Sequence, residues 1–363
     1  MSSDDPQDPP RTHRWFRREQ PASTARREDH PVTVQAPSGS APDPEALQEQ
    51  ICAALAGWPV ATLKLVGSLE EKGKIPRPPG RFLRAVLGHL VDTTLCTCRG
   101  YRCTSRSCIG HQLLGRRARG PDVDGEAWSP LAVRASNTKT GVCQKGGRIG
   151  AELLFVGHEA VRQLPRLIEV LRDPPPPPEQ HPPITWNTVQ YLQLDEDREL
   201  RWRKASEDGG GVPPLALDLL TEPRVRKGRL TLTFLSPTPL VRRLERGVVV
   251  PELPLVIDRM TRGMGAWMGR TGHKGPRLPV DDLLRVASAA QLGADNTRTV
   301  DIPGRLLGAQ GNEPEDDESR VPSLMGSITW KGDFSGLAPL LRAVNQLGMG
   351  PGKQYGLGEV NVR

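Results

Sequence analysis

The order of apolar and polar residues predicts helices and strands that follow a similar succession in the two halves of the chain. Alternating, strand-like runs cover residues 60–69, 148–157, 184–192, 227–240 and 323–334, with further strands near 128–135 and at 359–362. Apolar residues at helical spacing mark residues 45–55, 78–95, 158–171, 251–268, 280–292 and 334–347. Each half can then be written strand–helix–strand–strand–helix–strand.

This succession predicts the fold class α+β, with two tandem ferredoxin-like (RRM-like) domains, each an antiparallel sheet with helices on one face. We expect a disordered, arginine-bearing N-terminal arm at 1–44, because it holds little that could build a core. The N-terminal domain, with a cysteine-rich insertion, is predicted at 45–210 and the C-terminal domain at 225–363. The five prolines at 174–178 predict a polyproline spacer, and the charged, glycine-rich residues 195–211 predict a loop.

Composition indicates a modest preference for anionic partners. The 363 residues include 49 Lys and Arg against 42 Asp and Glu, a formal net charge of +7. Arginine predominates, and its planar guanidinium suits phosphate, so nucleic acid is a compatible partner without being established as one. The chain has no run of eighteen apolar residues and a polar start, so we expect no membrane span, no secretory signal and a cytoplasmic location.

Four of the six cysteines lie within thirteen residues, at Cys96, Cys98, Cys103 and Cys108. Thiolates at such short separations can converge on one tetrahedral zinc ion, and His111 could replace one of them. The alternative is four reduced thiols in a surface loop. The crowding favours a structural zinc ion over a disulfide scaffold. The arginines between these cysteines make the same loop a candidate phosphate contact: Arg99, Arg102 and Arg106.

His89 is a candidate for acid–base chemistry. It lies in the helix predicted at 78–95, on roughly the same stripe as Phe82 and Val86. A histidine on a mostly apolar face is commonly a hydrogen-bonded core or boundary residue. Its pKa near neutrality also suits a general acid or base, so both interpretations stay open.

The last sixteen residues hold five glycines, with Lys353 and Tyr355 between them: Gly348, Gly350, Gly352, Gly356 and Gly358. Glycine permits left-handed backbone conformations and the close approach of another segment, and exposed N–H groups in such a loop can bind an anion. One lysine and one aromatic ring among those amides suit a phosphate and a base. The alternative is a flexible tail or a permissive hairpin.

Three stretches resemble the CRISPR-associated repeat-RNA-processing endoribonucleases of the RAMP superfamily. Residues 79–89, with the cysteines that follow, are similar to that family's glycine-arginine helix and Cys-rich loop, and residues 230–240 to its Thr-Pro strand. Residues 332–358 are similar to its terminal helix and signature glycine loop, which is the most specific of the three motifs. The resemblance runs from about residue 50 to the end of the chain. The chain departs from the family at 348–351, which read Gly-Met-Gly-Pro where His-Val-Gly-Lys is common.

The resemblance implies an enzyme that binds the stem-loop of a CRISPR repeat transcript (pre-crRNA) and cuts at the base of the stem. The RNA's own 2′-hydroxyl would attack the adjacent phosphate without a metal, leaving a cyclic phosphate. It implies His89 as the base, with His111 and His30 as alternatives. Arg84 and Lys353 would offset the developing charge. No cofactor is expected for catalysis.

The expected RNA contacts are Arg81, Arg99, Arg102, Arg262, Arg270, Gly350, Gly352, Lys353, Tyr355, Gly356 and Gly358. The expected partners are the repeat RNA or crRNA and other CRISPR effector-complex subunits, with the chain itself a monomer or weak dimer. The alternative function is a non-catalytic RAMP subunit that binds guide RNA in an effector complex. A Rossmann or P-loop enzyme is excluded because a strand, not a helix, follows the glycine loop.

Overall fold

A computed structural model describes most of the chain beyond the first 33 residues. The described residues are 34, 37–40, 42–98, 107–115, 129–135, 137–177, 181–197, 199–205, 212–217, 228–240, 251–303 and 320–363. Most of the arm predicted at 1–44 therefore lies outside them. In this part of the chain no helix is long and apolar enough to cross a membrane.

Eight helices and twelve strands are described. The helices are α1 (Pro44–Leu55), α2 (Pro79–Leu90), α3 (Ile109–Leu114), α4 (His158–Arg162), α5 (Leu164–Arg172), α6 (Leu253–Arg270), α7 (Val280–Ser288) and α8 (Ala338–Leu347). The strands are β1 (Pro59–Leu69), β2 (Gly73–Ile75), β3 (Leu131–Arg134), β4 (Gly141–Cys143), β5 (Arg148–Val156), β6 (Ile184–Leu194), β7 (Leu200–Lys204), β8 (Leu215–Ala216), β9 (Arg229–Thr238), β10 (Gln291–Pro303), β11 (Arg320–Lys331) and β12 (Val360–Val362). A π-helical turn, Val91–Leu95, continues α2.

The first sheet has the strand order β3-β5-β1-β6-β7, and β8 also pairs with β1. All of its pairings are antiparallel. The helix α2 connects β1 to the β3–β5 pair, and α4 and α5 connect β5 to β6. The path β1–α2–β3–β5–α4/α5–β6 is therefore the predicted ferredoxin-like succession, with β7 added at one edge.

The second sheet repeats this arrangement. Its order is β10-β11-β9-β12, again antiparallel throughout. The helices α6 and α7 lie between β9 and β10 in the chain, and α8 lies between β11 and β12. The predicted α+β fold with tandem ferredoxin-like halves is confirmed.

Two strands of five or more residues, β7 and β10, escaped the sequence pattern, as did the short strands β2, β4 and β8. The loop predicted at 195–211 contains β7, and no strand was predicted where β10 runs. Both are edge strands that pair on one side only, so most of their side chains are exposed or half-buried. Because an exposed edge strand needs few apolar residues, it leaves little alternation in the sequence.

Two hydrophobic cores support the sheets. One lies between the first sheet and α2, α4 and α5, and buries Leu63, Phe82, Leu87 and Phe155. The other joins α1, α6, α7 and α8 to the second sheet and includes Val60 and Leu154 from the first sheet. The division into domains at 45–210 and 225–363 stays a prediction. The helix α2 carries three of the predicted site residues, Arg81, Arg84 and His89.

Candidate active site

The glycine loop, defined here as residues 348–358, is a compact element held by backbone hydrogen bonds. Its five predicted glycines all have positive φ angles, between 70° and 79°. The Gly358 N–H donates to the Pro237 carbonyl of β9 (3.0 Å), and the Met349 N–H donates to the Gly358 carbonyl (2.9 Å). A β-carbon on Gly358 would overlap the Met349 carbonyl oxygen. Glycine is therefore required here both for conformation and for space.

This loop packs against the first turn of α2. The closest approach is at Gly80, where a β-carbon would overlap the Tyr355 carbonyl oxygen and lie 2.5 Å from the Gly356 nitrogen. A β-carbon on Gly356 would lie 3.1 Å from the Gly80 α-carbon. Gly80 therefore lets a loop at the C-terminus meet a helix near the start of the chain.

Lys353 points from the loop toward α6. Its side chain is 5% exposed. Its Nζ lies 4.6 Å from the centre of the Trp267 ring, within the range of a cation–π contact. The ammonium group is thus held beside α6, and its predicted roles in RNA binding and catalysis stay predictions.

Arg84 connects α2, α3 and the glycine loop. Its Nε donates to the side-chain oxygen of Gln354 at 3.3 Å, and its Nη2 donates to the Leu114 carbonyl at the end of α3 at 2.9 Å. Gln354 is itself buried in the loop. Arg84 is therefore placed as a connector between three elements, and its catalytic role stays a prediction.

His89 lies near the far end of α2 and is half-buried. Its Nε2 is 2.9 Å from the Pro176 carbonyl oxygen in the polyproline run. A carbonyl oxygen only accepts hydrogen bonds, so this contact places the proton on Nε2 and leaves Nδ1 of a neutral ring with its lone pair. The polyproline run, which the resemblance did not include, therefore orients the predicted base.

His181 is a histidine that sequence reasoning missed. Its ring meets the Phe82 ring of α2 edge-on, with the centroids 5.5 Å apart. Burial lowers the pKa of His181 below its usual 6.5, and the positive charges of Arg81 and His89 lower it further. His181 therefore lies within electrostatic reach of both Arg81 and His89, which are eight residues apart on α2.

No local pattern marks His181 as functional. It follows the polyproline run and precedes β6, far in sequence from α2. The path of the chain brings it to Phe82, so only the tertiary structure reveals the group.

The helix α2 separates the predicted base from the glycine loop. His89 is nine residues beyond Gly80, which corresponds to about 13 Å along a helix axis. The structure therefore places His181 within electrostatic reach of both His89 and Arg81, and brings Arg84 to the loop. Lys353 lies beside α6, where it is not grouped with His89.

Other predicted contacts are spread over the molecule. Arg262 is exposed on α6 and pairs with Asp258 at 2.9 Å, and Arg270 is exposed at the end of the same helix. Cys96, Cys98 and Cys108 lie together. Five predicted residues lie outside the described part of the chain: Arg99, Arg102, Arg106, Cys103 and His30.

No protein-family model and no curated protein matches this sequence. Solved structures do match. A chain of a partial Cas6-RT-Cas1–Cas2 complex shares 11% identity with a TM-score of 0.51, over 85% of this chain and 47% of that one. Thermus thermophilus Cas6 gives a TM-score of 0.48 at 13% identity, over 85% of this chain and all of its own. A Cas6 product complex gives 0.45 at 18% identity. The protein therefore shares the tandem ferredoxin-like fold of the Cas6-containing chain over most of its length.

Proposed function

We propose that this protein is a cytoplasmic endoribonuclease that processes CRISPR repeat RNA. It would cut at the base of the repeat stem-loop, without a catalytic metal, by attack of the RNA's 2′-hydroxyl. The observation that carries the proposal is the group of Arg81, His89 and His181 beside one helix of the tandem ferredoxin-like fold. The fold shared with a Cas6-containing chain supports CRISPR RNA as the substrate and other CRISPR subunits as partners.

The reaction requires two proton transfers and charge stabilisation. A base removes the 2′-hydroxyl proton while the 2′ oxygen forms a bond to phosphorus. The bond from phosphorus to the 5′ oxygen breaks, and an acid protonates that oxygen. A cation offsets the charge of the phosphorane. The products are a 2′,3′-cyclic phosphate and a 5′-hydroxyl, with no water or electrons consumed.

The three side chains supply groups for these roles. His181 is assigned as the base, because its lowered pKa keeps the ring neutral near pH 7. His89 is assigned as the acid: with Nε2–H held by Pro176, its protonated ring would donate from Nδ1. Arg81 supplies the fixed positive charge. This assignment keeps His89 in the chemistry and moves the role of base to His181.

The glycine loop is assigned to RNA binding. Arg84 and Lys353 hold the loop against α2 and α6. Gly350 and Tyr355 are half-buried and are proposed as its RNA contacts, whereas Gly352, Gly356 and Gly358 are buried, so we propose that they shape the loop. The exposed arginines of α6, Arg262 and Arg270, extend the basic surface. Arg99 and Arg102 are proposed as contacts from sequence alone.

The test uses two repeat RNAs in buffer with EDTA, one normal and one with a single 2′-deoxy nucleotide at the cut. Cleavage of the first to a cyclic phosphate, with binding but no cleavage of the second, supports the mechanism. Zinc content is measured in the same samples, so that loss of a structural metal is not mistaken for loss of a catalytic one. Cleavage that needs added divalent metal, or cleavage of the deoxy substrate, contradicts it. Binding of both RNAs without cleavage supports the non-catalytic RAMP subunit instead.

Histidine variants test the assignment of roles. His181→Gln and His89→Gln are each expected to lower the single-turnover rate by about 10²–10⁴-fold, the usual contribution of a general acid or base. RNA affinity should change little. His158→Gln is the matched control, because His158 is exposed at the start of α4. A His181 variant as active as this control would remove His181 from the mechanism.

A further inference from the structure

Three cysteine side chains converge where the extension of α2 meets α3. Cys96 directly follows the π-helical turn Val91–Leu95, and Cys108 directly precedes α3. The Sγ atoms of Cys96 and Cys108 are 3.5 Å apart. The Sγ of Cys98 lies within 4.8 Å of both. Among the described residues, no other three His, Cys, Asp or Glu side chains bring their potential metal-binding atoms this close together.

We propose that Cys96, Cys98 and Cys108 bind one structural zinc ion as thiolates. Zinc–sulfur bonds of about 2.3 Å in a tetrahedral site place sulfurs about 3.8 Å apart. The Cys96–Cys108 separation is close to this value. No separation in the group exceeds 4.8 Å, so the sulfurs need to shift by at most about 1 Å. Cys103, the fourth ligand predicted from the sequence, lies outside the described residues, and the proposal rests on the three thiols.

The sequence between Cys98 and Cys108 offers few hydrophobic contacts that could stabilise the cluster in place of a metal ion. Residues 99–107, which connect Cys98 to Cys108, read Arg-Gly-Tyr-Arg-Cys-Thr-Ser-Arg-Ser and offer little beyond Tyr101 for apolar burial. Metal–thiolate bonds can stabilise the cluster instead, because the free energy of zinc binding adds directly to that of folding.

The ion would fix α3 against the end of α2. At Gly110 of α3, a β-carbon would lie 3.4 Å from the Val91 side chain and 3.6 Å from the Cys96 β-carbon, so the helix already packs closely on the π-helical turn. The other end of α3 is held by Arg84, which binds the Leu114 carbonyl. Zinc at one end and Arg84 at the other would together hold α3 along α2.

This placement also connects zinc to the glycine loop. The guanidinium that holds Leu114 also donates to Gln354 in the loop. If α3 moved, Arg84 would lose its Leu114 contact, which helps to aim it at Gln354. The proposed zinc ion is therefore a structural support for the loop, at a distance from the histidines.

The metal content of cysteine variants tests the proposal. Protein made in zinc-supplemented medium, without a histidine tag, is measured by mass spectrometry for metals. We expect about one zinc per wild-type chain and its loss in Cys96→Ser and Cys108→Ser. Cys52→Ser and Cys143→Ser are matched controls, since both cysteines lie outside the cluster. They should keep the metal.

A measurement on the wild type covers the case in which the serine variants fail to fold. Native protein is alkylated with iodoacetamide before and after zinc removal by phenanthroline, and modified cysteines are identified by peptide mass spectrometry. Cys96, Cys98 and Cys108 should be protected at first and react after zinc removal, and the midpoint of thermal unfolding should fall.

Four outcomes would overturn the proposal. They are wild-type protein without zinc, iron in place of zinc, zinc retained by both serine variants, and a Cys96–Cys108 disulfide in the protein as isolated. None of these measurements uses RNA cleavage, so the zinc site and the proposed nuclease function can fail independently.

Discussion

Replacing Gly80 with alanine tests whether the glycine loop is fastened to α2 as the structure indicates. The added β-carbon would overlap the Tyr355 carbonyl oxygen and approach the Gly356 nitrogen to 2.5 Å. Both are backbone atoms, in a loop that is held by backbone hydrogen bonds within itself and to Pro237. The strain must then be absorbed by displacing the loop or the helix.

Two opposing contributions set the size of the effect. Alanine is favoured over glycine in a helix interior by about 1 kcal/mol, and this gain is smaller in a first turn. Overpacking a well-filled site costs about 1–3 kcal/mol. Gly265 serves as a control for the gain in helix propensity alone, because it is exposed within α6 and its added β-carbon would meet nothing within 4 Å. We expect Gly265→Ala to raise the free energy of unfolding by up to about 1 kcal/mol. Gly80→Ala should be less stable than Gly265→Ala by about 1–3 kcal/mol.

Urea unfolding of the two variants and the wild type measures this difference. Hydrogen exchange adds a local readout, since the amides of the loop should lose protection in Gly80→Ala and keep it in Gly265→Ala. If Gly80→Ala proves as stable as Gly265→Ala, the close contact between loop and helix does not exist in solution, and the reasoning fails.

Two further predictions concern side chains around the same loop and helix. The proposed base His181 must be neutral for cleavage, so the acid limb of the pH–rate profile should lie at its lowered pKa, below 6.5. Arg81→Gln removes one cause of the lowering and should move this acid limb to higher pH. A pH–rate profile checks the shift, and an unmoved limb would separate Arg81 from the base. Lys353→Met should lower the free energy of unfolding by about 0.5–2 kcal/mol through loss of the cation–π contact with Trp267. It should lower the cleavage rate less than His89→Gln does, and the opposite order would place the Lys353 ammonium at the reacting phosphate.

The sequence best predicted those elements that bury one face, because burial of one face leaves a regular spacing of apolar residues. The helix α2 was readable because Phe82, Leu83 and Leu87 are buried at helical spacing. The strand β9 alternates buried and half-buried positions along its length. The edge strands β7 and β10 pair on one side only and bury few side chains. Their sequences therefore lack the alternation of apolar and polar residues by which a strand is predicted.

The site was less predictable because its groups meet only through the tertiary fold. His181 reaches α2 after the chain has completed β5, α4, α5 and the polyproline run. Lys353 looked like a phosphate ligand in sequence, since a lysine among glycines is normally exposed. Trp267, which covers its ammonium group, is 86 positions away on another helix. Which side chains meet in this way depends on how the helices and loops pack against one another, and the local amino-acid sequence does not determine that packing.

The helix α2 connects the glycine loop, the histidines and the cysteine cluster. Gly80 at the start of α2 meets the glycine loop, Arg84 one turn later binds the loop and α3, and His89 faces the polyproline run. Cys96, just past the π-helical turn, meets Cys108. A helix is stiff over this length, so a change at one end alters how the other end is presented. The cysteine cluster, the loop and the histidines can therefore be chemically independent and still depend on α2 for their relative positions.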